Sequence, residues 1–288
     1  MSAPNPSLEI DAQIFRSHFN RRPFLFCHRL SGHPLFELEP LAGLSQALHG
    51  RWIEYNDGQL PVSVPRQEDI AYTGLTIGDS IRKASEVCSW VVLKRTERFP
   101  EYASVMDACL DEIAPLAEAL EPGMCEREAA IFVSSPGAVT PYHMDHEINF
   151  LLQLRGTKTV SVFNADDREV LSELELESYF SGPAIHRNMH FEERYQQRAA
   201  VFELREGLGV HIPSTAPHWV RNGAGTSVSL SVAFKSDASL QRGDVYRMNA
   251  LLRRLGLRPA DWNASRSRDR VKRDAYRALR RVQGLLGA

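Results

Sequence analysis

Thr140-Pro141-Tyr142-His143-Met144-Asp145-His146-Glu147-Ile148-Asn149-Phe150-Leu151 is the stretch on which the fold turns. Read as a strand, it sets His143, Asp145, Glu147 and Asn149 on one face and Met144, His146, Ile148 and Phe150 on the other. One imidazole and one carboxylate then stand side by side. A second histidine would complete two neutral nitrogens and one carboxylate, a set that takes one face of an octahedron around Fe(II) and leaves the other positions open. A His-x-Asp pair alone is a weak signal, because two hydrogen-bonded or surface side chains satisfy it equally well.

The partner segment lies downstream. Gly207-Leu208-Gly209-Val210-His211-Ile212-Pro213 reads as a turn and a short strand, and His218 follows in Ser214-Thr215-Ala216-Pro217-His218-Trp219-Val220. His218 is therefore the expected third ligand. His211 competes with it, but a histidine inside a short strand serves equally well as a structural residue or pocket wall. His186 and His190 could share a helix face at i and i+4, yet no Glu follows His186 as in HExxH, so both are read as structural or exposed.

Around these motifs the texture is that of short strands between turns: Glu128 to Ser134, Tyr142 to Leu154, Lys158 to Phe163, Ala199 to Glu203, Val210 to Ile212 and Ser227 to Phe234. Close spacing of short strands points to a sandwich or barrel rather than a parallel sheet. The expected class is mainly β with flanking α-helices, a double-stranded β-helix or jelly roll. Helices are expected at Leu41 to Leu48, near Ser80 to Val87, and from about Tyr102 to Leu120, where Met106, Leu110, Ile113 and Leu116 recur at helical spacing. Three regions follow: 1–125, helical and irregular; 126–238, the jelly-roll core; and 239–288, a basic helical tail.

Composition narrows the class further. With 43% hydrophobic and 24% charged residues over 288 positions, the chain has the balance of a globular domain with additions. No segment approaches the roughly 18 apolar residues of a membrane helix. The first thirty residues, with Asp11, Arg16, Arg21, Arg22 and Pro23, lack the pattern of a secretory signal, so a cytoplasmic location is expected. Cys27, Cys88, Cys109 and Cys125 form no CxxC pair and read as buried free thiols. From Leu240 onward thirteen Lys/Arg face four Asp/Glu, +9 within a chain of net −2. Those charges interleave with Val245, Met248, Leu251, Leu252 and Leu255, then Val271, Ala275, Leu279 and Val282, which favours a packing or dimerising helix over a nucleic-acid arm.

Taken together, Thr140 to Phe163 and Gly207 to Phe234 resemble the JmjC or cupin-like family of Fe(II)- and 2-oxoglutarate-dependent oxygenases, and are especially similar to the asparaginyl hydroxylase of hypoxia-inducible factor. The resemblance implies a metal held by His143, Asp145 and His218, and 2-oxoglutarate held by Lys158, with Thr140 and Asn149 completing the local pattern. It also implies O2 as co-substrate, hydroxylation of a peptide side chain or small metabolite, and a homodimer built on C-terminal helices. One departure is Ala233, where the related hydroxylase carries asparagine; Ser229 or Ser231 could supply that polar contact. Tyr142, Glu147, Arg155 and Trp219 are candidates for a substrate entrance. Two other readings remain open: a cupin-like binding protein without turnover, and a zinc or manganese hydrolase or isomerase, which would need neither Lys158 nor oxygen.

Overall fold

The structure, a computed structural model, describes residues 7–64, 74–182 and 187–286, with side chains to residue 283. Its strands are β1 (Leu8–Glu9), β2 (Phe24–His28), β3 (Ile53–Asn56), β4 (Trp90–Lys94), β5 (Cys125–Ser134), β6 (Val139–His143), β7 (Ile148–Arg155), β8 (Thr157–Val162), β9 (Ala200–Arg205), β10 (Leu208–Ile212), β11 (His218–Asn222) and β12 (Ser227–Lys235). They form an eight-stranded sheet of order β1-β2-β10-β7-β12-β5-β4-β3 and a four-stranded sheet of order β6-β11-β8-β9. All pairings are antiparallel. This is a jelly roll, with one face of each sheet turned toward the other and helices on the outside.

The period-two alternation of β7 sorts its side chains. Ile148, Phe150, Leu152 and Leu154 join Val228, Leu230, Val232 and Phe234 of β12 in an apolar cluster under the helices α1 (Ala12–His18), α2 (Leu38–Ala47), α3 (Ile77–Arg82) and α4 (Pro100–Glu118), which contribute Phe15, Leu41, Ile81, Leu110 and Ile113. Asn149, Leu151 and Gln153 therefore face the space between the sheets. There Leu151 meets Val160, Val162, Leu204, Val210, Ile212 and Val220. A second cluster joins Tyr142 of β6 and Phe163, just after β8, to Leu176 and Phe180 of α5 (Glu173–Ser181) and Tyr246 of α6 (Asp237–Arg254). A last helix, α7 (Arg266–Leu286), packs on α6. No described helix is long and apolar enough to cross a membrane.

Phe150 shows where the stability resides. Fully buried, it contacts the rings of Phe15, Phe24, Phe26 and His211. Phe150→Ala is expected to cost about 3–5 kcal/mol by lost transfer energy and cavity formation. A shift of the urea unfolding midpoint to lower concentration, at unchanged slope, checks it.

Several expected elements move. The segment Tyr142 to Leu154 is not one strand: pairing stops after His143 and resumes at Ile148, because the chain leaves the small sheet there and enters the large one. The helix expected near Ser80 to Val87 is α3, which ends at Arg82 and gives way to turns. The first 125 residues contribute strands β1 to β4, which extend the large sheet. Of the cysteines, only Cys109 is buried; Cys27 and Cys88 are exposed and Cys125 is half-buried, all as free thiols. In the tail Val245 is buried, but Val271, Leu279 and Val282 are exposed, so that expected packing face of α7 is uncovered within the chain.

Candidate metal centre

The crossing from β6 to β7 builds the centre. His143 closes β6 and pairs across the small sheet with His218, the first residue of β11. Asp145 follows on the bend between the sheets, so the two residues meet through the turn of the chain rather than through strand alternation. The loop before His218 is tied to this bend, with Thr215 N donating to Asp145 O at 2.6 Å. Thr215 has φ +63°, an unfavourable conformation for a β-branched residue, and the Arg242 guanidinium donates to its hydroxyl at 3.2 Å. Backbone strain is thus held in place where it fixes one histidine against the aspartate.

One nitrogen of each imidazole is engaged by a carbonyl, His143 Nδ1 with Pro141 O at 2.7 Å and His218 Nδ1 with Ala216 O at 2.9 Å. A carbonyl can only accept, so each Nδ1 carries the proton and each Nε2 presents a lone pair. Both Nε2 atoms lie 3.8 Å from Asp145 Oδ2. The ligand atoms of the three residues all fall within 4.8 Å of one another. Bonds of about 2.1 Å at right angles would set neighbouring ligand atoms about 3 Å apart. Closing from 3.8 Å to that spacing takes less than an ångström, so the donor set fits a divalent ion.

Charge is arranged to match. Burial, aided by the neighbouring imidazole, lowers the His218 pKa to about 4, and burial lowers that of His143. Burial opposes ionisation of Asp145, but Arg187 and both imidazoles outweigh it and hold the carboxyl well below its usual range. Near neutral pH the three therefore offer two neutral nitrogens and one anion.

Lys158 lies on β8, on the inner face shared with Val160 and Val162. It is 4% exposed, and among the described residues no hydrogen bond or ion pair reaches its ammonium. Burial alone pushes its pKa down to about 7. Its cross-strand partner is Asn222, whose buried Oδ1 also lacks a hydrogen-bond partner. A cation and an acceptor left unpaired in one interior mark a space built for a polar guest. Thr140 Oγ1 accepts from Trp90 Nε1 at 2.8 Å, which leaves its own proton to donate. Asn149 Oδ1 accepts from Ser231 Oγ at 2.8 Å, whereas Ser229 donates to Gln153 Oε1 at 2.7 Å. Ala233 pairs with Asn149 through the backbone, so the hydroxyl nearest the departure from the hydroxylase pattern is that of Ser231.

Arg187 is the residue that sequence reading missed. Its guanidinium donates to Asp145 Oδ1 and stands 3.7 Å from Glu147. Glu147, 5% exposed, is also 3.3 Å from His146 Nε2 and 3.9 Å from Lys235. Burial, then the charge of Glu147, raises the pKa of nearby Glu128 to about 7, against the opposing guanidinium of Arg95 at 3.1 Å. Forty-two residues separate Arg187 from Asp145, in a segment with no periodicity to place it.

The other candidates lie elsewhere. His211 is on the helix-covered face, where Nδ1 engages Asn149 O and Nε2 accepts from Asn20 N, leaving no lone pair for a metal. His186 lies outside the described residues, and His190 is exposed beside Ser63. Tyr142 is sealed in the second cluster, Trp219 turns outward to Gln196, and Arg155 lies near Glu37 at 3.8 Å. Of the four entrance candidates only Glu147 borders the centre.

Fold and centre together define a cupin-type metal-site architecture. The chain belongs to the cupin-like domain family, whose sequence profile matches residues 65–239, more than half of its length. Its fold is similar to that of YcfD from E. coli, with TM-score 0.54 and 16% identity over 94% of this chain and 67% of that one. A structure described as YcfD, a ribosomal oxygenase from Escherichia coli in complex with cobalt and 2-oxoglutarate, is similar at TM-score 0.49 and 17% identity, covering 91% of this chain and 61% of that one. This chain thus spans about two thirds or less of the length of these structures. No curated protein sequence matches it.

Proposed function

We propose that this protein is an Fe(II)- and 2-oxoglutarate-dependent dioxygenase, with His143, Asp145 and His218 as metal ligands and Lys158, Thr140 and Asn149 as co-substrate residues. The observation that carries the reading is the pairing of a two-nitrogen, one-carboxylate face with a buried ammonium that has no partner among the described residues. A zinc hydrolase needs the first and has no use for the second. On β8, Lys158 lies four residues from Val162, the strand partner of His218, about 13 Å at the rise of a strand. A lysine stem and a five-carbon dicarboxylate together bridge that order of distance.

Iron(II), when bound, supplies activation of O2 coupled to oxidative decarboxylation of 2-oxoglutarate to succinate and CO2, with the second oxygen atom going to the substrate. The chain's share is to position and exclude. Lys158 neutralises the far carboxylate through a charge-assisted hydrogen bond, and Thr140, braced by Trp90, donates its free proton to it. Asn149, braced by Ser231, orients the co-substrate from the opposite sheet. The dry cluster around Leu151, Val160 and Val220 keeps bulk water out.

The substrate is a peptide or protein side chain or a small metabolite, and hydroxylation is the outcome, in line with the resemblance to an asparaginyl hydroxylase. Residues 126–238 form the catalytic core in this reading, with 1–125 buttressing it. The exposed stripe of Val271, Leu279 and Val282 supports a homodimer built on 239–288; a cytoplasmic location and independence from nucleic acid complete the proposal.

Purified protein loaded with Fe(II) is expected to convert 2-oxoglutarate to succinate only with oxygen present, and His143→Ala and Asp145→Ala to abolish that conversion. Equal inactivity of all three, with no iron retained by any, would remove the basis for the assignment.

A further inference from the structure

The two oxygens of Asp145 have different surroundings. Oδ2 faces the Nε2 atoms of His143 and His218, each at 3.8 Å. Oδ1 takes the guanidinium of Arg187, which comes from the segment after α5 and is itself backed by Glu147 at 3.7 Å. A carboxylate free of such a partner can close on a divalent ion with both oxygens. One whose second oxygen already accepts a charge-assisted hydrogen bond has that lone pair occupied and its plane fixed.

We propose that Arg187 is a positioning residue that holds Asp145 Oδ1 away from the metal, so that the aspartate contributes one oxygen only. The inference rests on the proposed function and deepens it. On a six-coordinate ion, two imidazoles and one carboxylate oxygen would use three positions and a chelating 2-oxoglutarate two, which would leave one for O2. A two-oxygen Asp145 would use that last position. Arg187 therefore guards oxygen access rather than metal affinity. Glu147 acts behind it as the counter-charge that keeps the guanidinium at the edge of the centre rather than drawn across it.

The test compares wild type with Arg187→Met, which keeps length and removes the donors, and Arg187→Lys, which restores a single cationic donor. Mn(II)-loaded crystals of the wild type are expected to show Arg187 on Oδ1 and one Asp145 oxygen on the ion. In Arg187→Met both oxygens are expected on the ion, with Mn(II) still bound. In turnover, the KM for O2 of Arg187→Met is expected to rise about tenfold or more, the size usual for loss of an outer hydrogen-bond partner. The KM for 2-oxoglutarate should change far less, and Arg187→Lys should recover most of the loss. A merely structural role would leave the coordination mode and the oxygen dependence alone.

A wild-type crystal with Mn(II) on the three ligands but Arg187 turned away from Oδ1 would overturn the inference while leaving the functional reading intact. So would an Arg187→Met protein with single-oxygen coordination and an unchanged KM for O2. A wild type that binds no Mn(II) at these residues would instead overturn the functional reading, and this inference with it. The wild-type crystal decides the matter even where Arg187→Met fails to fold.

Discussion

Asp145→Ala is expected to weaken Co(II) binding by more than about a hundredfold, beyond the range typical for loss of an outer-shell partner. Asp145 is the only anion among the three ligands, and it stands between two imidazoles and a guanidinium. Without it, an incoming cation meets two neutral nitrogens and the uncompensated charge of Arg187. The substitution also costs stability, about 1 kcal/mol, since the half-buried Arg187 guanidinium loses its hydrogen-bonded carboxylate and keeps only Glu147 at 3.7 Å. Calorimetric titration with Co(II) reads the first effect and thermal unfolding of the metal-free protein the second. Binding of Co(II) to Asp145→Ala within a few-fold of wild type would contradict the ligand assignment.

Lys158→Met is expected to move function and stability in opposite directions. The ammonium is buried, without a partner among the described residues, and pushed down to about pKa 7 by burial. Replacing an uncompensated buried charge with an apolar chain of similar length should stabilise the protein by about 1–4 kcal/mol. The sign with pH follows from proton counting. Unfolded lysine keeps its proton up to about pH 10.4, whereas the folded group loses it near 7. Between those values the unfolded chain binds the extra proton, so the contribution of Lys158 makes wild-type stability rise with pH. The advantage of Lys158→Met is therefore greatest below pH 7 and fades toward pH 10.

Binding behaves the other way. A dicarboxylate needs the protonated ammonium, so the affinity of wild type for 2-oxoglutarate should fall by about tenfold per pH unit above pH 7, until the higher pKa of the complex is reached. In Lys158→Met that dependence should vanish along with more than about a hundredfold of affinity, because the far carboxylate would be buried without a partner. Unfolding curves and calorimetry at pH 6.5 and 9 check both halves. A variant less stable than wild type that still bound 2-oxoglutarate would place Lys158 in a purely structural role.

The cluster of His143, Asp145 and His218 was legible in the sequence because chemistry concentrates there in few residues. His143 and Asp145 are two apart, and His218 follows a Gly-rich turn and an Ile-Pro stop that mark the end of a strand. The reason they meet was not legible. Tyr142 to Leu154 has continuous strand character with no Gly or Pro, and the break at Met144 to Glu147 arises from β6 and β7 joining different sheets. The early strands escaped notice for a similar reason. β1 has two residues and β3 four, too short for a period-two signal, and their place is set by pairing with β2 and β4. Arg187 left no trace, because it acts through long-range ion pairs with Asp145 and Glu147 rather than through a motif.

The apolar stripe of α7, expected to pack or to dimerise, is left uncovered among the described residues. Val271, Leu279 and Val282 recur at helical spacing, yet α7 meets α6 through other residues, among them Arg277, which donates to Asp244 Oδ2 at 2.7 Å. Periodicity identified the helix correctly but could not say which face the chain itself would cover.

Equilibrium dialysis of the metal-free protein against Fe(II) under anaerobic conditions, with His218→Ala alongside, tests the convergence of the three ligands most directly. Wild type should retain one iron per chain and His218→Ala essentially none. Equal iron in both proteins, or none in wild type, would mean that the three side chains do not share an ion.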